Sequence, residues 1–314
     1  SAENRVAALA EAELIPAYFA SMPERLKAIA PIEEDRTDNV DEAAFFVAGG
    51  TDLYVQRGEE IPRGKVKLLN RHPEMKGIRL KNDRFYVGAL TTFEEFGGDP
   101  DIQALIPRID HYLFLIASLQ LRNRATLSGN IINASPIGDM TALLLALNTE
   151  LVFYEGDTRR AVAMKEFFLG YKVMDKKPNE IMTELSFPAG NANTRIHFEK
   201  VSKRKCLDIA TVNSAIRIEA DDDGLIEDVT ITLGGVAAVP LWLRETATFL
   251  KGRTISTETV NQALVMVQNE ITPISDVRGS AQYKRLLARQ FVLAHFLELY
   301  PERVSLADFA PMAG

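Results

Sequence analysis

"AFFVAGGTDLYVQRG", residues 44–58, carries an apolar run (Phe45, Phe46, Val47, Ala48) straight into Gly49-Gly50-Thr51-Asp52. A β-strand that stops on two glycines has two readings. One is a tight turn, which glycine serves because it takes φ > 0 without steric cost. The other is a loop whose bare backbone N–H groups converge on an anion, most often a phosphate. A second stretch bears on the choice: "LRNRATLSGNIINASPIGDMTALLLAL", residues 121–147. Between Ala125 and Asp139 it concentrates Ala, Ser, Thr, Gly and Asn. Small residues let a large ligand approach the backbone, and Ser, Thr and Asn supply short, rigid donors. Singly, each has an ordinary role: Gly129-Asn130 fits a hairpin turn, and Asp139, standing just before a helix, fits a cap. Together, a strand-ending Gly-Gly-Thr-Asp and a later small-residue loop fit two walls of a dinucleotide groove. Neither stretch reads Gly-x-Gly-x-x-Gly and no Gly-Lys-Ser/Thr occurs, so a Rossmann crossover and a P-loop are disfavoured.

The bulk composition narrows the partners. A chain of 314 residues, 46% hydrophobic and 25% charged, is long enough for more than one core. A net charge of −7 argues against a nucleic-acid or anionic-membrane surface, which calls for a basic face. Apolar stretches such as 142–147 are too short to span a bilayer, and Arg5, Glu11 and Glu13 interrupt any apolar leader, so a cytoplasmic chain is expected. Cys206 stands alone, which rules out an internal disulfide or a four-cysteine iron–sulfur cluster built by this chain. His72, His111, His197 and His295 show no i, i+4 or paired spacing, so no metal site is expected from them. No catalytic triad or carboxylate pair stands out, which leaves a bound organic cofactor open.

Along the chain, Ala7, Leu9, Ala10 and Leu14, then Leu26 and Ile29, suggest helical segments within 1–40, closed by an acidic, polar linker at 33–39. Short strands are expected at 45–48, 66–70, 76–80 and 84–89, and a helix at about 103–120. Another short helix is read at 140–147, followed by strands near 150–154, 160–163 and 180–187. The turn-rich run 188–193 marks the best internal boundary. Beyond it, strands at 195–202, 210–220 and 226–235 surround the hairpin signal Asp221-Asp222-Asp223-Gly224. Two closing helices follow, from Ser256 or Thr257 and from about Ser280 to Tyr300. The class is α+β, in two parts.

These stretches resemble the FAD-binding domain of the molybdenum hydroxylases, the family of xanthine dehydrogenase and carbon monoxide dehydrogenase. "AGGTDL" (48–53) is similar to the family's first flavin-phosphate loop, and "LRNRATLSGNIINASPIGD" (121–139) to its second. The likeness continues through "GDTRRAVAMKEFFLGYK" (156–172), "EKVSKRKCLDIATVNSAIRIE" (199–219) and "TLGGVAAVPL" (232–241), and covers about residues 43–303. It implies a PCMH-type FAD-binding domain at 41–190, a smaller α+β domain with an antiparallel sheet and helices at 194–304, a helical linker region at 1–40 and a tail at 305–314. By the resemblance, Ala48, Gly49, Gly50 and Thr51 wrap the FAD pyrophosphate, with Asp52 and Leu53 completing the turn. Thr126, Gly129, Asn130, Ser135 and Asp139 line the other side, Asp139 toward a ribose hydroxyl. Lys200 matches a lysine near the flavin, while Ile116 and Ile209 match the residues covering its two faces. Ser128 stands where the family has glycine; if that position needs positive φ, serine costs on the order of 1 kcal/mol.

The function implied is electron transfer: an FAD-binding subunit or domain, most like that of xanthine dehydrogenase, with the molybdenum cofactor and 2Fe–2S clusters on partner chains or domains. The run Lys200–Lys205 reads on its own as a solvated face. By the resemblance it lies beside the flavin, where NAD-linked members receive NAD. Those members carry an acidic pair before Ile-Ala; here Leu207-Asp208 stands, so NAD as acceptor stays open. Two alternatives also stay open. One is a stand-alone flavin oxidoreductase, for which Tyr171, Cys206 and Asp208 are loose acid–base candidates. The other is an assembly module without flavin.

Overall fold

The computed structural model describes residues 2–29 and 45–309. The expected acidic linker at 33–39 and residues 310–314 of the tail lie outside the described residues. The chain divides into two compact units, 1–40 and 41–314. In the first, helices span Ala2–Glu11 and Met22–Lys27, with a 3₁₀ turn at Ala17–Ser21 introduced by Pro16, whose fixed φ of −60° suits that entry.

The second unit holds thirteen strands among the described residues. They are β1 Phe45–Val47, β2 Val66–Leu68, β3 Ile78–Lys81, β4 Arg84–Gly88, β5 Glu150–Glu155, β6 Thr158–Ala163, β7 Phe168–Gly170, β8 Val173–Met174, β9 Ile181–Pro188, β10 Thr194–Val201, β11 Val212–Ala220, β12 Ile226–Gly234 and β13 Leu241–Trp242. β1 and β2 pair in parallel. A five-stranded antiparallel sheet runs β3-β4-β9-β5-β6, a four-stranded one β10-β11-β12-β13, and β7 with β8 forms a small hairpin. The chain crosses from the first large sheet to the second through 189–193, where Gly190 takes φ +76°.

Three local readings differ. The single helix expected at 103–120 is three, Pro100–Leu105, Ile109–Leu115 and Leu119–Arg122. Pro107 drives Ile106 out of the helical region (φ −126°, ψ 79°), and Ala117 takes φ +56°. Gly129-Asn130 is no hairpin turn: both sit in a helix, Leu127–Ile132, capped by Thr126. Ser128 lies in that same helix and is absent from the positive-φ residues, so serine carries no backbone strain there.

The helix Asp139–Ala146 is buried from Met140 to its end, which explains why its sequence is apolar on every side. It contributes to the core of the first sheet and also lies against the second, where the Thr232 hydroxyl donates to the Ala142 carbonyl (2.8 Å). Alternation along β11 sorts its side chains. Ala215 faces the first core, whereas Val212, Ile216 and Ile218 join the second core with the helices Arg244–Leu250, Thr257–Glu270 and Ala281–Leu299.

Two histidines 98 positions apart meet in this second part. His197 Nδ1 lies 2.9 Å from His295 Nδ1, and His295 Nε2 lies 2.8 Å from the Ser214 hydroxyl. Burial pushes the His197 imidazole down to about 4 and holds His295 well below the usual histidine value. Besides His295, the charged or titratable neighbours of His197 among the described residues are Glu199, Glu298, Arg108, His111 and Tyr112. Above the unfolded value both rings are neutral in either state. As pH falls from about 6.5 toward 4, the unfolded chain takes protons that the folded one refuses, and stability is lost. For His197 alone the loss approaches roughly 3 kcal/mol at the acid end of that window. Urea unfolding across this range is expected to show the decline, and the double variant His197→Gln/His295→Gln to flatten it; an equal slope in both proteins would refute the assignment.

Candidate functional site

The first loop leaves β1 at Ala48 and turns at Gly50, whose φ of +74° is left-handed. Leu53 then opens the short helix Leu53–Arg57, with Asp52 at its N-cap making no side-chain cap bond. Tyr54 N–H donates to the Gly50 carbonyl (3.0 Å) and Gln56 N–H to that of Asp52 (3.0 Å). Among the described residues, no acceptor takes the N–H groups of Gly50, Thr51, Asp52 and Leu53. The Asp52 carboxylate accepts from Gln56 Nε2, which also reaches Asn133 Oδ1 (3.4 Å).

The second loop sits against the first. A Cβ added to Gly49 would lie 1.9 Å from the Arg124 carbonyl oxygen, so only glycine permits this seating. Between the loops lies a cavity of about 120 Å³ lined by Ala48, Gly49, Asn70, Lys76, Asn123, Arg124 and Thr126, among others. The Thr126 hydroxyl accepts from Gly129 N–H (3.1 Å). The Asn130 side-chain oxygen accepts from both the N–H (3.1 Å) and the hydroxyl (2.7 Å) of Thr141, tying the two helices of this region together. Ser135 accepts from Ile137 N–H (3.4 Å).

Asp139 is the first residue of its helix, after Gly138 at the N-cap, and its side chain does not cap that helix. Its carboxylate is instead held by two residues of the second sheet. Lys200 Nζ donates to Oδ2 (2.7 Å) and Asn213 Nδ2 to Oδ1 (2.7 Å). Burial pushes the Asp139 carboxyl up, and Lys200 beside it opposes that shift. The Lys200 side chain is 2% exposed, and its ammonium makes two further bonds, to the carbonyls of Leu115 and Asp208 (2.8 Å each). Those carbonyls directly precede Ile116 and Ile209 in the chain. One cation thus fixes the backbone beside both of the residues matched to the flavin's faces. The two differ: Ile116 is packed in the first core, whereas Ile209 is 56% exposed.

The loop after Lys200 is held from within. The Asp208 carboxylate accepts from the N–H groups of Arg204 (2.9 Å) and Ile209 (3.0 Å), which, led by the Arg204 N–H bond, holds it below the usual carboxylate range. Leu207 is half exposed and takes φ +54°. Tyr171 stands exposed at the β7–β8 turn, and neighbouring Lys172 donates to Asn133 Oδ1 (2.9 Å). Among the described residues, no group of three or more His, Cys, Asp and Glu side chains is placed to hold a metal. Nor is any helix among them long and apolar enough to cross a membrane. Asn213 escaped the sequence reading, because it is one of four polar residues in a strand that also carries Ser214, Arg217 and Glu219.

The architecture is that of a two-part α+β flavoprotein, with its two glycine-bearing loops in the first part and the Lys200 brace reaching in from the second. The description "FAD binding domain in molybdopterin dehydrogenase" matches residues 20–190, and "CO dehydrogenase flavoprotein C-terminal domain" matches residues 197–299. The chain belongs to this family of FAD-binding flavoprotein components of molybdopterin dehydrogenases. It is 33% identical to the carbon monoxide dehydrogenase medium chain of Hydrogenophaga pseudoflava over 71% of this chain and 77% of that one. It is 26% identical to the glyceraldehyde dehydrogenase medium chain of Sulfolobus acidocaldarius, over 84% of this chain and 96% of that one. Among solved structures, a chain of the Hydrogenophaga pseudoflava carbon monoxide dehydrogenase superposes with a TM-score of 0.73 at 31% identity, covering 79% of this chain and 86% of that one. The fold class and the family resemblance read from the sequence are borne out. The relatives are subunits or regions of dehydrogenases, and this chain is an oxidoreductase component.

Proposed function

We propose that this chain is the FAD-carrying electron-transfer subunit or domain of a molybdenum hydroxylase, most like that of xanthine dehydrogenase, passing electrons from iron–sulfur clusters on a partner to an external acceptor. One observation carries the reading: two glycine-bearing loops seated backbone to backbone, with four consecutive N–H groups left without acceptors among the described residues. Such a cradle fits a pyrophosphate, because its donors are backbone N–H groups that follow one another along the chain. When bound, FAD supplies the redox chemistry.

The chain's own residues do the holding. Ala48, Gly49, Gly50 and Thr51 present the cradle, and Asp52 and Leu53 close its turn. Thr126, Gly129, Asn130 and Ser135 hold the opposite wall in shape, each bonded as described above. Asp139 and Lys200 act as a braced pair beside the ribityl and flavin end, with Ile116 and Ile209 on either side of the slot they set. In this reading 41–190 is the FAD-binding domain, 194–304 the smaller domain that lends Lys200 and Ile209, 1–40 a linker and 305–314 a tail. The molybdenum cofactor and 2Fe–2S clusters belong to partner chains or domains, as the name medium chain, borne by several relatives, suggests. Rice xanthine dehydrogenase is among the relatives, at 26% identity over 82% of this chain but 20% of that one, and the xanthine-type branch is inferred from the loop motifs rather than from that figure. The compartment inferred is the cytoplasm. NAD is inferred to be a poor partner, because neutral Leu207 replaces an acidic residue of the NAD-linked members.

A visible spectrum and an FAD titration of the purified chain test the reading. Yellow protein or tight uptake of FAD is the expected result, and a colourless protein that ignores added FAD would overturn it. In stopped flow, a small reductant such as dithionite is expected to bleach the bound flavin rapidly and NADH slowly. A purine added without partner subunits is expected to do nothing; bleaching by purine alone would point to the stand-alone oxidoreductase instead.

A further inference from the structure

Lys200 and Asn213 are direct partners across the antiparallel β10–β11 pair, so their side chains emerge side by side on one face of the sheet. Both end on the Asp139 carboxylate, one on each oxygen. The Asn213 amide also donates to the Ile137 carbonyl (3.1 Å), two residues before Asp139. Because both neighbours are acceptors, the amide nitrogen must face them, which settles the orientation of the side chain.

The opposite end of the amide is unusual. Asn213 is fully buried, and its side-chain oxygen has no donor within reach among the described residues. On the next strand Gly234 stands opposite Asn213, and a Cβ there would lie 2.2 Å from that oxygen. A buried acceptor without a donor is unfavourable. The amide is therefore explained by its donor side and by the room that Gly234 leaves it, not by packing.

We propose that Asn213 is a positioning residue of the flavin slot: with Gly234 behind it, it holds the Asp139 carboxylate charged and aimed at Lys200, so that Lys200 keeps the backbone before Ile116 and Ile209 in place. The inference rests on the FAD reading above and adds to it a residue of the second sheet that meets the second loop only from behind, through the Asp139 carboxylate and the Ile137 carbonyl. Lys200 is the charged group facing Asp139; Asp208 meets Lys200 through its carbonyl, and its carboxylate is turned to Arg204 and Ile209. A hydrogen bond to the ionised form favours ionisation, so removing it makes the buried carboxylate easier to protonate.

The test is an FAD titration by flavin fluorescence on the whole chain, between about pH 8 and pH 6, a window well above ordinary carboxylate values. The native chain is expected to bind with nearly constant affinity. Asn213→Leu is expected to bind about tenfold more weakly at neutral pH, and progressively more weakly as pH falls and Asp139 takes up a proton. Gly234→Ala, which keeps the amide but displaces it, is expected to move the same way to a smaller degree. A folded Asn213→Leu chain with native affinity and a native pH profile would overturn the proposal. Should that variant fail to fold, a native profile in Gly234→Ala overturns it equally. A native chain that takes up no FAD overturns the functional reading itself, and this inference with it.

Discussion

Lys200→Met is expected to lower the free energy of unfolding by about 3–5 kcal/mol, among the largest single effects available in this chain. The reason is what the substitution leaves behind. The Asp139 side chain is 12% exposed, and without Lys200 its charge keeps a single donor, the Asn213 amide. The Leu115 and Asp208 carbonyls lose the ammonium bonded to both. Methionine fills the volume but satisfies none of the three acceptors. If the loss comes from an uncompensated buried charge, removing that charge recovers much of it, and Lys200→Met/Asp139→Leu is expected to be clearly more stable than Lys200→Met alone. FAD retention separates stability from function, since both variants lose the brace and both are expected to lose affinity. Urea unfolding and an FAD titration on the two variants and the native chain decide the matter. A single variant destabilised by less than about 1 kcal/mol would mean that the pair is solvated and weak.

Much of this site was legible, and what was not has a common cause. The two loops declare themselves in sequence because their chemistry is local: Gly49 and Gly50 end a strand, and small residues crowd between Ala125 and Asp139. Ser256 and Ser280 mark the starts of the last two long helices, and both cap them in the structure. Asp139 shows the limit. A carboxylate ahead of a helix reads as a cap, yet here Gly138 holds the cap position while Lys200 and Asn213, 61 and 74 residues away, take the carboxylate. That outcome depends on strand register, which brings Lys200 opposite Asn213, and no short-range pattern encodes it. His197 and His295 fail for the same reason. Their spacing shows no pairing, and the meeting comes only from docking the last helix on the second sheet. The broken helix at 100–122 is different, because Pro107 announces its first break in the sequence.

The loops themselves carry the other large effect. Gly50→Val is expected to lower FAD affinity at least about a hundredfold, close to 3 kcal/mol of binding energy, while leaving the fold nearly as stable as before. At φ +74° a β-branched side chain is strained by on the order of 1–2 kcal/mol. Its Cβ would also approach the Tyr54 ring to 2.8 Å. Tyr54 is half exposed and can swing into solvent, so the clash is relieved cheaply. The backbone strain is relieved only by rotating the peptides around residue 50, which reorients the N–H groups of Gly50 and Thr51 that the FAD reading assigns to the pyrophosphate. Gly49→Ala differs in kind. Its new methyl meets the Arg124 carbonyl, backbone against backbone, so the two loops must part and stability falls together with FAD binding. Gly156→Val supplies the control, since it imposes similar strain at φ +56° in the β5–β6 turn with nothing within 4 Å of the added atom. The expected pattern is FAD lost alone in the first variant, lost with stability in the second, and kept in the third. Full FAD retention by Gly50→Val, with Gly156→Val behaving the same, would show that the first loop does not hold the pyrophosphate.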